Sequence, residues 1–466
     1  MAFRALLLAA GFCLAAGLAP GQPAGQPAGT PAPAQPGETR LSLSQAQVLA
    51  GYAVKTGRPE LAFQITETLI AANPEDGLAH YLKARALAQL KRYDDGREAA
   101  KIAYRGAQTD VQRFEAAKLA AELSFADERL TASQLWLRRA AHFAPDESTR
   151  DMAVKAFRRV RYQNPFSFNM RFSVNPSDNV NNGANSPFNL IEGSPLIGAL
   201  SPSAQAIPGV VATADIRASY RLMQTDTFQM KASARISAKR VRFNEPVVGF
   251  SGRDMAEERL ELGLNYRWSG SGTGFWDLDL SGGWQRYGGD ALYNFLGMDL
   301  SRVQKLTDKL HVMAGGGFEQ QYDEAPPIAH TRVYHGFAGF GYALDSGGSL
   351  GFRMQYREAQ NDLWNRAYNQ VSGIATYTMG RQVGPVNLSF MVGRSELEYD
   401  RYAVIFPVRG GRQDDSWFGG VTATWPEAGY MGFVPTWTLQ HEKARSNISR
   451  FNVDQTTFSF GIRSQF

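Results

Sequence analysis

The sequence predicts an α plus transmembrane-β chain: N-terminal helical repeats, then a C-terminal antiparallel β-barrel of about fourteen strands. Three observations predict it. Residues 41–160 carry Ala, Leu and charged side chains at the helical period. At Asn164-Pro165 the pattern switches to apolar–polar alternation, which recurs to the end of the chain. Beyond the N-terminus no apolar run has the length of a membrane-spanning helix, a condition that strands do not need to meet.

Residues 1–19 read as a secretory signal peptide, with cleavage expected between positions 17 and 24. Arg4 supplies the positive start, and residues 5–18 form a short Leu- and Ala-rich stretch. Cys13 lies inside that stretch, but Phe12 stands where a lipidation signal needs a small residue. Cys13 is the chain's one cysteine, so cleavage leaves no thiol for a disulfide or a zinc site. Residues 20–40, with repeated Gln-Pro-Ala-Gly, form a flexible linker. A net charge of +5 over 466 residues is too small and too dispersed to point to a nucleic-acid partner.

The helical segment, residues 41–160, aligns with itself at the tetratricopeptide (TPR) period of about 34 residues. Ala46, Leu49, Ala50, Ala53, Ala62, Leu69 and Pro74 fall at the small, large and terminating positions of a first unit. One period on stand His80, Lys83, Ala84, Leu87, Gly96 and Ala103, with Gln108 at the proline position. A third, degenerate unit spans about residues 113–145, and residues 146–159 form a capping helix. An ordinary helical bundle is the other reading. On the TPR reading the first-helix positions Gln47, Lys55, Tyr81, Arg85 and Gln89 line the concave face and are candidate cargo contacts.

The barrel, residues 164–466, begins with Phe166, Phe168, Met170, Phe172 and Val174 alternating with polar residues. Rows such as Leu260-Leu262-Leu264, Trp276-Leu278-Leu280 and Leu350-Phe352-Met354 repeat the pattern. The last strand carries Phe458, Phe460, Ile462 and Phe466 on one face, an aromatic-ended signal for the barrel assembly machinery. Short turns at 224–227, 269–274, 307–309, 345–349, 381–385 and 426–429 alternate with mostly longer segments. That places the short turns, the helical domain and the C-terminus on the periplasmic side. A water-soluble β-sandwich would rarely carry Trp and Tyr at the ends of so many apolar rows.

No Ser/His/Asp order, paired carboxylates or HExxH-type pair stands out, so the sequence implies no enzyme activity, cofactor or metal. Gly315-Gly316-Gly317 and the glycines of residues 336–341 sit inside strands and relieve crowding in the wall. Asp178-Asn179-Val180-Asn181-Asn182-Gly183 has a calcium-loop texture, but Val180 and Asn189 occupy positions that must be ligands. Arg217, Arg221, Lys231, Arg235, Lys239, Arg353 and Arg357 fall on inward rows. They either balance lumen acids or form a positive conduit for acidic cargo.

The segment Asn164-Pro165-Phe166-Ser167-Phe168-Asn169, followed by Asn175-Pro176-Ser177-Asp178-Asn179-Val180-Asn181-Asn182, resembles the start of the barrel domain of the surface lipoprotein assembly modulator (Slam) family. The helical repeats before it extend the resemblance over nearly the whole mature chain. The resemblance implies an outer-membrane translocator that delivers a protein cargo, typically a surface lipoprotein, with outer-membrane lipid and the assembly machinery as its other partners. A passive porin for small solutes and an exopolysaccharide exporter are the alternatives.

Overall fold

The computed structural model describes residues 41–464 apart from 271 and 325; the expected signal peptide and linker, and Phe466, lie outside the described residues. Seven helices come first: α1 (Leu43–Lys55), α2 (Pro59–Ala72), α3 (Gly77–Gln89), α4 (Tyr93–Gly106), α5 (Asp110–Ala126), α6 (Leu130–His142) and α7 (Glu147–Gln163). α7 runs past residue 159, where the sequence reading ended it. Its helical residues continue until Asn164 ahead of Pro165, a position that disfavours further helix.

The helices stack in chain order, and α3 also touches both α1 and α5. Local sequence sets the pairing. Ser42, Asp76, Thr109 and Asp146 cap the odd helices through their side chains. The even helices α2, α4 and α6 follow tight turns without a side-chain cap. Those turns place Gly57, Lys91 and Glu128 in the left-handed region, the first two one TPR period apart. Small residues carry the core: Ala50, Ala62 and Ala84 are fully buried. A methyl group on Gly96 would come within 3.2 Å of Leu123, so the helices approach at close to the limit of backbone packing.

The remaining chain forms β1 (Phe166–Ser177), β2 (Phe188–Leu190), β3 (Ile197–Ala199), β4 (Gly209–Gln224), β5 (Phe228–Phe243), β6 (Glu257–Ser269), β7 (Gly274–Tyr287), β8 (Asp290–Lys305) and β9 (Leu310–Asp323). Then come β10 (Thr331–Ala343), β11 (Ser349–Gln360), β12 (Tyr368–Thr378), β13 (Asn387–Tyr399), β14 (Tyr402–Ala403), β15 (Pro407–Val408), β16 (Arg412–Thr424), β17 (Phe433–Ser446) and β18 (Val453–Ser464). The pairs β2–β3 and β14–β15 are small hairpins within loops, and the other strands close one barrel in the order β1-β18-β17-β16-β13-β12-β11-β10-β9-β8-β7-β6-β5-β4. That is fourteen strands, as the alternation predicts. At 11–16 residues they exceed the expected ten, because most extend into their loops at the end away from the helices.

Side chains alternate across the wall. Leu262, Leu264, Leu296, Phe352, Met354, Phe390 and Val392 point out and are exposed, while their chain neighbours face a polar interior. Aromatic rings form a belt at the short-turn end, with Tyr266–Trp268 at 5.4 Å and Trp268–Trp276 stacked at 6.1 Å. An apolar outer wall, a polar lumen and a closed edge are the construction of an outer-membrane β-barrel. All six expected short turns lie at the helix-domain end. The other end has one exception to its longer loops: β7 and β8 join through Gly288-Gly289 alone, both at positive φ, as a two-residue hairpin requires.

Candidate functional site

Three features can act on a substrate: the groove of the helical array, its junction with the barrel, and the lumen. The groove lies between α3 and α5. It is a cleft of about 440 Å³ with Leu78, Tyr81 and Val111 on its walls and Glu75 and Glu115 on its rim. Tyr81 belongs to this cleft, and Arg85 donates to the Tyr81 hydroxyl at 3.4 Å from the next turn of α3. Lys55 is exposed at the end of α1. Gln47 and Gln89 have other occupations. Gln47 donates to Asp76 at 2.7 Å and Gln89 donates to the Val54 carbonyl at 2.9 Å, so the two tie α1 to both ends of α3. Of the five expected cargo contacts, Tyr81 and Arg85 come together, and Gln47 and Gln89 brace the array.

The junction is built mostly from residues the sequence does not mark; Arg221, expected on an inward row, and Asn164 take part in it. Arg138 of α6 donates to the Gly432 carbonyl at 3.3 Å and lies 4.9 Å from the ring centres of both Phe157 and Phe433. His142 packs edge-on to Tyr430 at 4.8 Å. These contacts hold α6 to the β16–β17 turn. On the other side of β1, Arg221 at the end of β4 donates to the last carbonyls of α7, Tyr162 and Gln163, both at 2.8 Å. This satisfies acceptors that every helix end leaves open and places a cation at the negative end of the helix. Asn164 links the two modules, donating to Thr131 at 3.0 Å and accepting from the Phe166 amide at 3.0 Å. The helical array is therefore fastened to the short-turn end of the barrel on both flanks of β1.

The lumen has two unlike sides. On β4–β9 inward charges are largely paired: Arg235 with Asp215, Arg217 with Glu261 at 3.6 Å, Lys239 with Glu257 at 2.9 Å and Arg267 with Asp277 at 2.8 Å. Arg259 donates to Glu319 at 2.8 Å and covers the fully buried Phe295 at 3.6 Å, so side chains from β6, β8 and β9 meet inside the barrel. Lys231 sits on the same inward row, between Arg221 and Asn265 in register. Farther round, Arg353 lies over Phe337 at 3.9 Å, and the Arg357 Nε is buried without a hydrogen-bond partner. Across the middle of β12–β18 the inward rows mix hydroxyl and amide groups with the apolar Ile374, Met391 and Phe418; Thr422–Thr438 lie at 2.9 Å and Gln370 donates to Ser395 at 2.8 Å. The strand glycines make room for lumen side chains. A methyl on Gly341 would strike the His311 imidazole, and one on Gly317 the Asp299 carboxylate.

The asparagine motif after β1 holds the long loop that precedes β4. Asn179 exchanges hydrogen bonds with Gly183 at 2.8 and 2.9 Å, and Asn181 donates to the Ser203 and Gln205 carbonyls. The loop is pinned in turn to the β17–β18 connection, where Arg450 donates its amide to Asn189 at 3.2 Å and Leu190 donates to Ser449 at 2.7 Å. Among the described residues no group of three or more His, Cys, Asp or Glu is arranged to hold a metal.

No protein-family profile matches the sequence, and neither does any curated protein. Solved structures similar to the chain include OmpT, an outer membrane protein of Vibrio cholerae, at 9% identity over 65% of this chain and 98% of that one, with a TM-score of 0.35. An outer membrane channel from Pseudomonas putida F1 is 11% identical over 63% of this chain and 95% of its own, with a TM-score of 0.33. The type III secretion translocator chaperone SycD of Yersinia enterocolitica is 14% identical over 27% of this chain and 88% of its own, with a TM-score of 0.24. None of these likenesses is close enough to bring a function with it.

Proposed function

We propose that the chain is an outer-membrane translocator: the helical array receives a periplasmic protein, and the barrel delivers it to or across the cell surface. The observation that carries this reading is the fastening of a grooved helical array to one end of a polar lumen, through Arg138 on one flank and Arg221 on the other. A channel for small solutes gains nothing from such a groove, whereas a protein handed into a lumen needs a fixed receiving surface beside it. The groove, with apolar walls and a rim that carries Glu75 and Glu115, suits a segment bearing a large apolar side chain next to basic ones. Arg85 beside Tyr81 on α3, and Lys55 at the end of α1, suit acidic residues on the same cargo. In this reading the repeats are TPR-like and periplasmic, a surface lipoprotein is the cargo class, and the chain guides without catalysing. Pull-down from an envelope extract, with the full-length protein as bait, tests it. Recovery of a lipoprotein that is lost on Tyr81→Asp supports it, and equal recovery by wild type and variant removes the groove from the pathway.

The solute-channel reading has one feature in its favour, the ion-paired wall on β4–β9, which would favour small charged solutes as readily as a protein segment. Single-channel conductance of the reconstituted protein separates the two. A stable open conductance without cargo favours the solute channel.

A further inference from the structure

We propose that the outer wall of β5–β7, at the loop end, binds the phosphate groups of a glycolipid in the outer leaflet of the membrane. This rests on the orientation above, with the helices on the periplasmic side. Outward rows on these strands are apolar up to Ile236, Leu260 and Trp284, all facing lipid. Immediately above, the same rows turn to charge, with Arg240 and Arg242 on β5, Glu258 on β6 and Arg286 on β7. Arg253 joins them from the short helical turn Gly252–Met255.

Arg240, Arg253 and Arg286 converge with Glu258 on a concavity of about 560 Å³. Its floor is made by small residues, and a methyl on Gly252 would strike the Val241 carbonyl. The single carboxylate is taken by Arg240. Among the described residues the guanidinium groups of Arg253 and Arg286 have no hydrogen bond or salt bridge; Asp254 of the same turn offsets part of the Arg253 charge, and with Arg242 and Arg286 the cluster keeps an excess of positive charge at the headgroup level. Planar guanidinium groups grip phosphate in a bidentate way and hold it better than water does once acyl chains cover one side. The excess of positive charge is greatest in this sector. Farther round, the outward residues at the same end mix signs, with Glu358, Glu396, Glu398 and Asp415 beside Arg394, Lys443 and Arg445, where Arg394 is paired to Glu396 and Asp415 and Lys443 to Asp454. A ligand with phosphates at the height of the arginines and chains lying along Ile236, Leu260 and Trp284 fits both halves of the surface, and free phosphate fits only one.

The full-length protein in detergent is titrated with bis-phosphorylated lipid A, with dephosphorylated lipid A, and with inorganic phosphate. The expected result is binding of the bis-phosphorylated lipid that weakens at least about tenfold in the Arg253→Ser/Arg286→Ser double variant. It should strengthen several-fold in Glu258→Gln, which frees Arg240, and fall with added salt. Both variants should keep the heat-dependent gel mobility of a folded barrel. Equal binding of dephosphorylated lipid A, equal competition by inorganic phosphate, or no change in the double variant overturns the proposal. Val248, almost fully exposed in the adjoining loop, reports the orientation. Val248→Cys should react with an impermeant maleimide on intact cells. Labelling without lipid binding sinks the site alone; labelling only after lysis sinks the orientation as well.

Discussion

The guanidinium of Arg138 lies between one ring of its own domain, Phe157, and one ring of the barrel, Phe433, so it is a residue through which the two modules feel each other. Burial and the nearby Arg161 lower its pKa to about 10. A half-buried cation between two rings contributes about 1 kcal/mol, and a hydrogen bond from a charged donor adds to it. Arg138→Ala should therefore loosen the helical domain without unfolding the barrel. The expected readout is faster trypsin cleavage near Arg158 and Arg161 at the end of α7, with the barrel's heat-dependent gel mobility intact. His142 makes the same junction sensitive to pH. Burial pushes its pKa down, and Asp110 opposes the shift only in part. The docked state thus binds the proton less readily than the undocked one. Docking is at full strength above about pH 6.5, the free imidazole value, and weakens as pH falls from there through the lowered pKa. Trypsin should cut α7 faster at pH 5.5 than at pH 7.5, and His142→Phe, which keeps a ring against Tyr430, should abolish the difference. At this scale little was legible in the sequence. Arg138 and Gly432 are 294 positions apart, and nothing local marks either as a contact. Position within a repeat suggested that Gln47 and Gln89 face cargo, but it could not show that each finds a backbone or carboxylate partner on the neighbouring helix.

Among the barrel elements, the seam between the first and last strands is unlike the rest. β1 and β18 pair in register at Phe172, Ser173, Val174 and Ser177, whereas every other neighbouring pair is joined along ten or more residues. Two causes are visible. Pro176 has no amide to give to the ladder, and one step beyond the Phe172–Ile462 pair the register would set Arg171 against Arg463, two like charges, where the pairing stops. Outside the wall the seam is clasped at both ends, by the asparagine-pinned loop against the β17–β18 connection and by the helices fastened to β4 and β17. The barrel should open first here. A disulfide from Val174→Cys/Phe460→Cys should raise the temperature of the heat-dependent gel shift by several degrees. A control pair at Ala338→Cys/Met354→Cys, within the fully laddered β10–β11 pair, should leave it nearly unchanged. Equal shifts from the two pairs would show that the seam is not the weak point. β18 also presents Phe458, Phe460 and Ile462 on its outer face. Deleting Phe466, which continues the same alternation in the sequence, should reduce insertion and leave degraded or periplasmic protein, and unchanged outer-membrane levels would remove it from the assembly signal. The strands were the most legible feature of the chain, since a two-sided wall imposes period two on each of them. The pairing at the seam was not, because alternation says which face a residue takes and nothing about how many ladder bonds it makes. Gly288-Gly289 is a standard hairpin signature whose place among long loops was missed.

For the whole molecule, the question is whether the two modules serve one transport event. The groove has apolar walls and charge at its edges but does not enter the membrane, and the lumen crosses the membrane but offers side chains largely paired with each other on β4–β9 and a mixture of hydroxyl, amide, apolar and a few charged groups elsewhere. On the proposed reading, selection belongs to the helices and passage to the barrel. Residues 41–163 can be removed in such a design: the barrel closes through its own strands, and among the described residues the loss uncovers Arg221, Gln224, Tyr430, Gly432 and Phe433. The deletion should leave a heat-modifiable barrel in the outer membrane while abolishing surface display of one or a few proteins. Lys55→Glu/Arg85→Glu in the intact chain should weaken the same display partially and in a salt-dependent way, since both side chains are exposed and screened. Protease accessibility of surface lipoproteins on intact cells measures both effects. If every surface protein stays as exposed as in the parent strain while uptake of a small charged solute falls, the helices are an accessory to a solute channel, and the fastening at Arg138 and Arg221 serves barrel stability and not delivery.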